Sequence, residues 1–192
     1  MEEISNEQLV DRARGGDAAA FSELARRHHA KIYGMIMGMI RNPQDAADLA
    51  QETFMRAYRA LPRFRGGSSF STWIYRIAMN LTLNALKKSK HEKPRVDIEP
   101  DRCSPSSGER KPLSPPEEET LRREFREKLK EAVNALPPAY RGAFALVEIQ
   151  GMSHRRASRV LKCSENTVSW RMHKARRMLQ SSLKPFWERG MP

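Results

Sequence analysis

The sequence has little from which to build a covalent framework or a catalytic centre. Only two of its 192 residues are cysteine, Cys103 and Cys163, 60 positions apart and without a Cys-x-x-Cys or Cys/His pair beside them. A disulfide scaffold and a zinc site are therefore not expected. No apolar run approaches the roughly 20 residues that cross a bilayer, and the first residues (MEEISNEQ) are too acidic and polar for a signal peptide. Neither a nucleophile paired with a base, nor a glycine-rich phosphate loop, nor a metal signature is found. These absences point to a soluble, cytoplasmic chain without cofactor, metal or membrane insertion, and not to an enzyme.

What is abundant is positive charge, unevenly placed. Residues 1–90 carry 14 basic and 9 acidic side chains, residues 91–120 carry 5 and 8, and residues 121–192 carry 16 and 6. Two basic blocks around an acidic middle imply two surfaces for a polyanion, with nucleic acid the first candidate.

The apolar spacing predicts helices throughout. Ser5 with Gln8 suits a capping box before a helix that stops at Gly15-Gly16. Asp17 can cap the next helix, with Phe21, Leu24, His28, Ile32, Met35, Ile36 and Met39 inward. Asn42-Pro43 opens a third, with Ala46, Ala50, Phe54, Ala57, Tyr58 and Leu61 inward, and the fourth carries Ile74, Ile77, Leu81 and Ala85. Residues 91–116 hold six of the twelve prolines and few large apolar side chains, a composition that reads as a flexible tether. From 117 a second helical block places Leu121, Phe125, Leu129, Val133 and Leu136 inward, then Tyr140, Phe144 and Val147. It ends in a helix-turn-helix layout with Ser153 and Ser164 as caps and Val168, Met172, Ala175 and Leu179 as the last stripe. The expected fold is all-α, with two small helical domains, 1–90 and 117–192, joined by the tether at 91–116.

Three constellations carry chemistry. In the segment 64–88, aromatics (Phe64, Phe70, Trp73), Gly66-Gly67, hydroxyls (Ser68, Ser69, Ser71) and Arg65 suit unstacked bases. The helix that follows presents Arg76, Asn80, Asn84 and Lys87 on one side, donors and acceptors fit for base edges and phosphates; an ordinary solvated face has the same spacing. In the last helix Ser169, Trp170, Arg171, His173, Lys174 and Arg177 lie off the buried stripe, with Arg155, Arg156 and Arg159 on the preceding helix facing the DNA backbone. Asp45, Asp48 and Glu52 share one face of the third helix. That face is open to three readings: a solvated surface paired with Arg41 or Arg56, a divalent-metal site, or a docking face flanked by Leu49 and Gln51.

In order, DAADLAQETF, YRALPRFRGGSSFSTWIYRIAMN, a proline-rich gap, LPPAYRGAFALVEIQGMS and TVSWRMHKARRML closely resemble a bacterial RNA polymerase sigma factor of the short, two-domain extracytoplasmic-function branch of the sigma-70 family. The resemblance implies docking on the clamp of the polymerase's largest subunit through Asp45, Asp48, Leu49, Gln51, Glu52 and Phe54. It implies capture of a flipped minus-ten base by the loop Phe64–Thr72, reading of that element by Asn80 and Asn84, and strand contacts from Arg76 and Lys87. The C-terminal domain would read the minus-thirty-five element with Arg155, Arg156, Thr167, Ser169, Trp170, Arg171, His173, Lys174 and Arg177. Core RNA polymerase, promoter DNA and an anti-sigma factor are the implied partners, and the tether would thread toward the RNA exit path. Two departures stand out: Arg155-Arg156-Ala157-Ser158, where relatives carry acidic then bulky apolar residues, and Ser169, Trp170 and His173 in the recognition helix. A stand-alone helix-turn-helix regulator and a metal-dependent nuclease are the rival readings.

Overall fold

A computed structural model describes residues 4–91 and 116–187. All regular elements among them are helical: α1 (Asn6–Arg14), α2 (Ala18–Ile40), α3 (Pro43–Ala60), a 3-10 turn (Leu61–Arg63), α4 (Phe70–His91), α5 (Pro116–Ala135), α6 (Pro138–Phe144), a π-turn (Ala145–Ile149), α7 (His154–Leu161) and α8 (Glu165–Trp187). The all-α fold class is as the sequence implies. The tether read at 91–116 falls almost wholly outside the described residues.

Local chemistry sets the boundaries. Ser5 and Gln8 form the capping box of α1, Asp17 accepts from the Ala20 amide, and Ser153 accepts from the Arg156 amide. Asn42 accepts from the amides of Gln44 and Asp45, with Pro43 as the first residue of α3. The stripe of α2 from Phe21 to Met39 is buried as its spacing predicts, and so is that of α8 from Val168 to Leu179. Each fully buried side chain of this size contributes about 1.5–3 kcal/mol.

Two stripes differ from the sequence expectation. Tyr58 is exposed, its ring tilted against Phe21 at 5.0 Å between centroids. In α4 the buried residues are Phe70, Thr72, Ile74, Tyr75, Ala78, Met79 and Thr82, whereas Ile77, Leu81 and Ala85 are half-buried. The cause is tertiary: α4 packs against α2 and α3 on one side and against α6 and α7 on another. Its buried face is therefore wider than one stripe and centred elsewhere.

The two halves share a core. A continuous apolar cluster runs from Leu9 on α1 through Met39 and Met79 to Leu146, Val160 and Met172. A smaller cluster of Ala132, Leu136, Ala175 and Leu179 binds α5 to α8. At the seam Gly142 lets the backbone of α6 approach closely, since a Cβ there would lie 3.2 Å from Met79 Sδ. Arg141 is buried beside it. Its Nη1 donates to the Met39 carbonyl at 2.9 Å, and its Nη2 donates to the carbonyls of Leu136 and Asn134.

Candidate nucleic-acid interface

The turn after α3 ends with the Phe64 amide donating to the Leu61 carbonyl at 2.9 Å. Gly66 takes a φ of 72°, which an L side chain rarely adopts. Ser69 then caps α4, its Oγ accepting from the Thr72 amide at 3.2 Å. The aromatics of this segment pack on one another: Phe64 lies 4.8 Å from Trp73 and 6.5 Å from Phe70 between centroids. Phe64 and Phe70 are only 9 % and 5 % exposed, so they serve as floor more than as a free stacking surface.

Above that floor opens a cavity of about 470 Å³, walled by Phe64, Gly66, Ser68, Ser69, Phe70 and Ser71 on the loop side. Its opposite wall is α1, through Asn6, Glu7, Val10, Asp11 and Arg14. The sequence reading missed that wall, because nothing in the spacing of α1 says which loop it will face. Arg65, between the lining residues Phe64 and Gly66, is exposed.

His28 supports the floor from below. Its Nδ1 is 2.9 Å from the Leu24 carbonyl and its ring meets Phe70 edge-on at 5.4 Å. Burial holds its pKa below the ordinary value, with the Leu24 carbonyl opposing. Between that lowered value and the ordinary one near 6.5 the unfolded chain binds the extra proton. Stability is therefore complete above the ordinary value and is lost as pH falls through it. The urea midpoint is expected to drop more between pH 7.5 and 5.5 for the native chain than for His28→Gln; parallel curves would show that His28 is not the group responsible.

Along α4, Asn80, Asn84 and Lys87 are exposed. Arg76 is half-buried, its Nη2 donating to the Arg159 carbonyl at 2.9 Å, and its Nε is buried with no partner. On α3, Asp45, Asp48 and Gln51 are exposed, Leu49 is half-buried, and Glu52 pairs with Arg56 at 2.6 Å. Phe54 instead faces the core and stacks on His29 at 6.0 Å. The sequence reading missed Met55, which is 40 % exposed beside this acidic face; an apolar residue one turn past Gln51 and Glu52 was the available signal. Among the described residues no group of three or more His, Cys, Asp or Glu could hold a metal ion.

In the helix-turn-helix, Lys162 turns the chain with a φ of 51° and the Thr167 amide donates to Ser164 Oγ at 3.1 Å. Ser169 Oγ lies 2.9 Å from His154 Nδ1, which ties the recognition helix α8 to α7. Trp170 is 51 % exposed, edge-on to Tyr140 at 5.7 Å, with Lys174 Nζ 5.8 Å above its ring. His173 and Arg177 are exposed; Thr167, Arg171 and Lys174 are half-buried. Arg155, Arg156 and Arg159 are exposed on α7, and Arg156 Nη2 donates to Ser71 Oγ at 2.6 Å.

Comparison with known proteins decides what these surfaces belong to. Residues 24–92 match the family model described as Sigma-70 region 2, and residues 126–179 match Sigma-70, region 4. The chain is 36% identical to the RNA polymerase sigma-H factor of Pseudomonas aeruginosa over 182 residues, covering 94% of both chains. The chain belongs to the sigma-70 family. Its branch follows from 33% identity over 190 residues to the ECF RNA polymerase sigma-E factor of Escherichia coli, covering 98% of this chain and 99% of that one. It is thus a sigma factor that directs promoter recognition by RNA polymerase, a non-enzymatic role in transcription initiation. The structure of CnrH in complex with the cytosolic domain of CnrY shares the fold, with a TM-score of 0.69 over 95% of this chain and 99% of that chain at 23% identity. So does RpoE from Bartonella quintana, solved with the anti-sigma factor NepR, with a TM-score of 0.65 over 85% and 96% at 24% identity. No helix among the described residues is long and apolar enough to cross a membrane.

Proposed function

We propose that this sigma factor divides its task among three surfaces. The acidic face of α3 (Asp45, Asp48, Gln51, Glu52), with Leu49 and the adjoining Met55, docks on core polymerase. The helix-turn-helix reads the minus-thirty-five duplex, with the phosphates met by Arg155, Arg156, Arg171, Lys174 and Arg177 and the base edges by Thr167, Ser169, Trp170 and His173. The 64–88 segment holds the minus-ten strand open. The observation that carries this division is the cavity over Phe64 and Phe70, formed where the loop enters α4, the helix that exposes Asn80 and Asn84 further along.

A flipped base loses a few kcal/mol of stacking and pairing. A cavity of about 470 Å³ with hydroxyls at its rim encloses a base and offsets that loss. The strand then runs along α4, where the Asn80 and Asn84 amides can pair with base edges and Lys87 can meet a phosphate. The work takes place in the cytoplasm, where the polymerase is. An anti-sigma partner is part of the proposal, because the Bartonella RpoE, which shares this fold, was solved with the anti-sigma factor NepR.

Asn80→Ala and Asn84→Ala are each expected to lower the fraction of opened promoter about tenfold, the worth of one good base contact, while affinity for core polymerase stays unchanged. Permanganate reactivity of unpaired thymines reads the opening and fluorescence anisotropy reads the affinity. Normal opening by both variants would remove α4 from the minus-ten assignment.

A further inference from the structure

The seam between the halves carries a second cleft, of about 530 Å³, lined by Ser69 and Thr72 from the loop side and by Ser153, Arg155, Arg156 and Arg159 from α7. Three exposed arginines line it, and none forms an ion pair with a carboxylate among the described residues. The shut seam therefore holds uncompensated positive charge on α7, with Arg76 of α4 bonded to the Arg159 carbonyl beside it.

The groups that hold the seam are those the promoter needs. Arg156 donates to Ser71 and Arg76 donates to the backbone of Arg159, so each commits one N–H to the shut seam, while the other N–H groups of the exposed Arg156 remain open to an anion. Tyr75 adds a hydrogen bond to Gln150 Oε1 at 2.8 Å. The cleft also abuts the first turn of α7, where backbone amides favour an anion. A compact anion with several charges would satisfy the three arginines and the loop hydroxyls together, as guanidinium groups bind phosphate oxygens in charge-assisted pairs.

We propose that this cleft binds a di- or triphosphate group, and that the bound anion locks the two halves together and withdraws their DNA-reading side chains from promoter. The shared chemistry is a short phosphate chain, free or attached to a nucleoside. The test uses the full-length chain with no DNA or polymerase, so its failure leaves the promoter-reading assignment standing.

Titration calorimetry with sodium tripolyphosphate and, in parallel, with ATP is expected to give one site. Arg155→Gln and Arg159→Gln should each weaken it about tenfold; Lys128→Gln, a basic residue on α5, should not. Hydrogen exchange at the seam, at the amides of Met152 and Ala157, should slow as the site fills. Tighter binding of ATP assigns the site to nucleotides, and equal or weaker binding assigns it to inorganic polyphosphate; both support it. Binding abolished by sodium chloride at matched ionic strength, or weakened equally by Lys128→Gln, would overturn the site. Arginine-dependent binding with no change in exchange at the seam would overturn its role in locking the halves.

Discussion

Arg141→Ala is expected to lower the melting temperature by about 6–12 °C. The substitution leaves the carbonyls of Met39, Leu136 and Asn134 without their donor. Hydrogen bonds to a charged group contribute about 1.5–3 kcal/mol each in buried settings, and part of that returns as water enters. A net loss of about 3 kcal/mol at roughly 2–4 °C per kcal/mol for a chain of this size gives the stated range. Arg141 is costly to bury: desolvation pulls its pKa below the usual arginine value, and its Nε has no partner. It is retained because one planar fork reaches the carboxyl ends of both α2 and α5, which no neutral side chain can do. Arg141→Lys should recover only part of the loss, because a single ammonium cannot span the three carbonyls. A melting temperature within 2 °C of the native chain for Arg141→Ala would show that Arg141 is not a strut of the seam.

Charge reversal on α3 is the second large effect. Asp48→Lys with Glu52→Lys is expected to weaken binding to core polymerase by about tenfold to a hundredfold, through repulsion where complementary charge is required. The two positions should not contribute equally. Glu52 is already neutralised by Arg56 at 2.6 Å, whereas Asp48 accepts only the neutral amide of Gln44 at 3.2 Å. Asp48→Lys alone should therefore produce most of the loss, with circular dichroism unchanged because the face is solvent-exposed. Equal losses from the two single variants would mean that the Arg56 pair breaks on docking. No loss from the double variant would move the docking surface elsewhere.

Much of this architecture was legible in the sequence because it is local. Ser5, Asp17, Ser153 and Ser164 announce their helices by side chains that reach amides three positions on, and the stripes of α2 and α8 follow from a period of 3.6. The α4 stripe was misplaced because period alone cannot tell a helix packed on one side from one packed on two. Ile77 and Leu81 were counted as core, while Tyr75, Met79 and Thr82, which face the seam or the bundle, were not. The seam itself left no local trace. Its bonds join residues 75 to 102 positions apart, and two of them end on backbone carbonyls that no side-chain pattern reveals. The same holds for the α1 wall of the base-sized cavity. The motif residues of α4 and α7 were legible as polar faces, but their engagement across the seam, Arg76 to Arg159 and Arg156 to Ser71, was not.

Start-site mapping with purified core polymerase, with and without this chain, on promoter fragments of its own genome tests the division of labour most directly. Discrete starts are expected only when the chain is present. They should align upstream into two elements, with permanganate-reactive thymines confined to the nearer one. Tight binding to the same fragments without any new start or opened strand would contradict the account and leave a DNA-binding protein that does not open promoters.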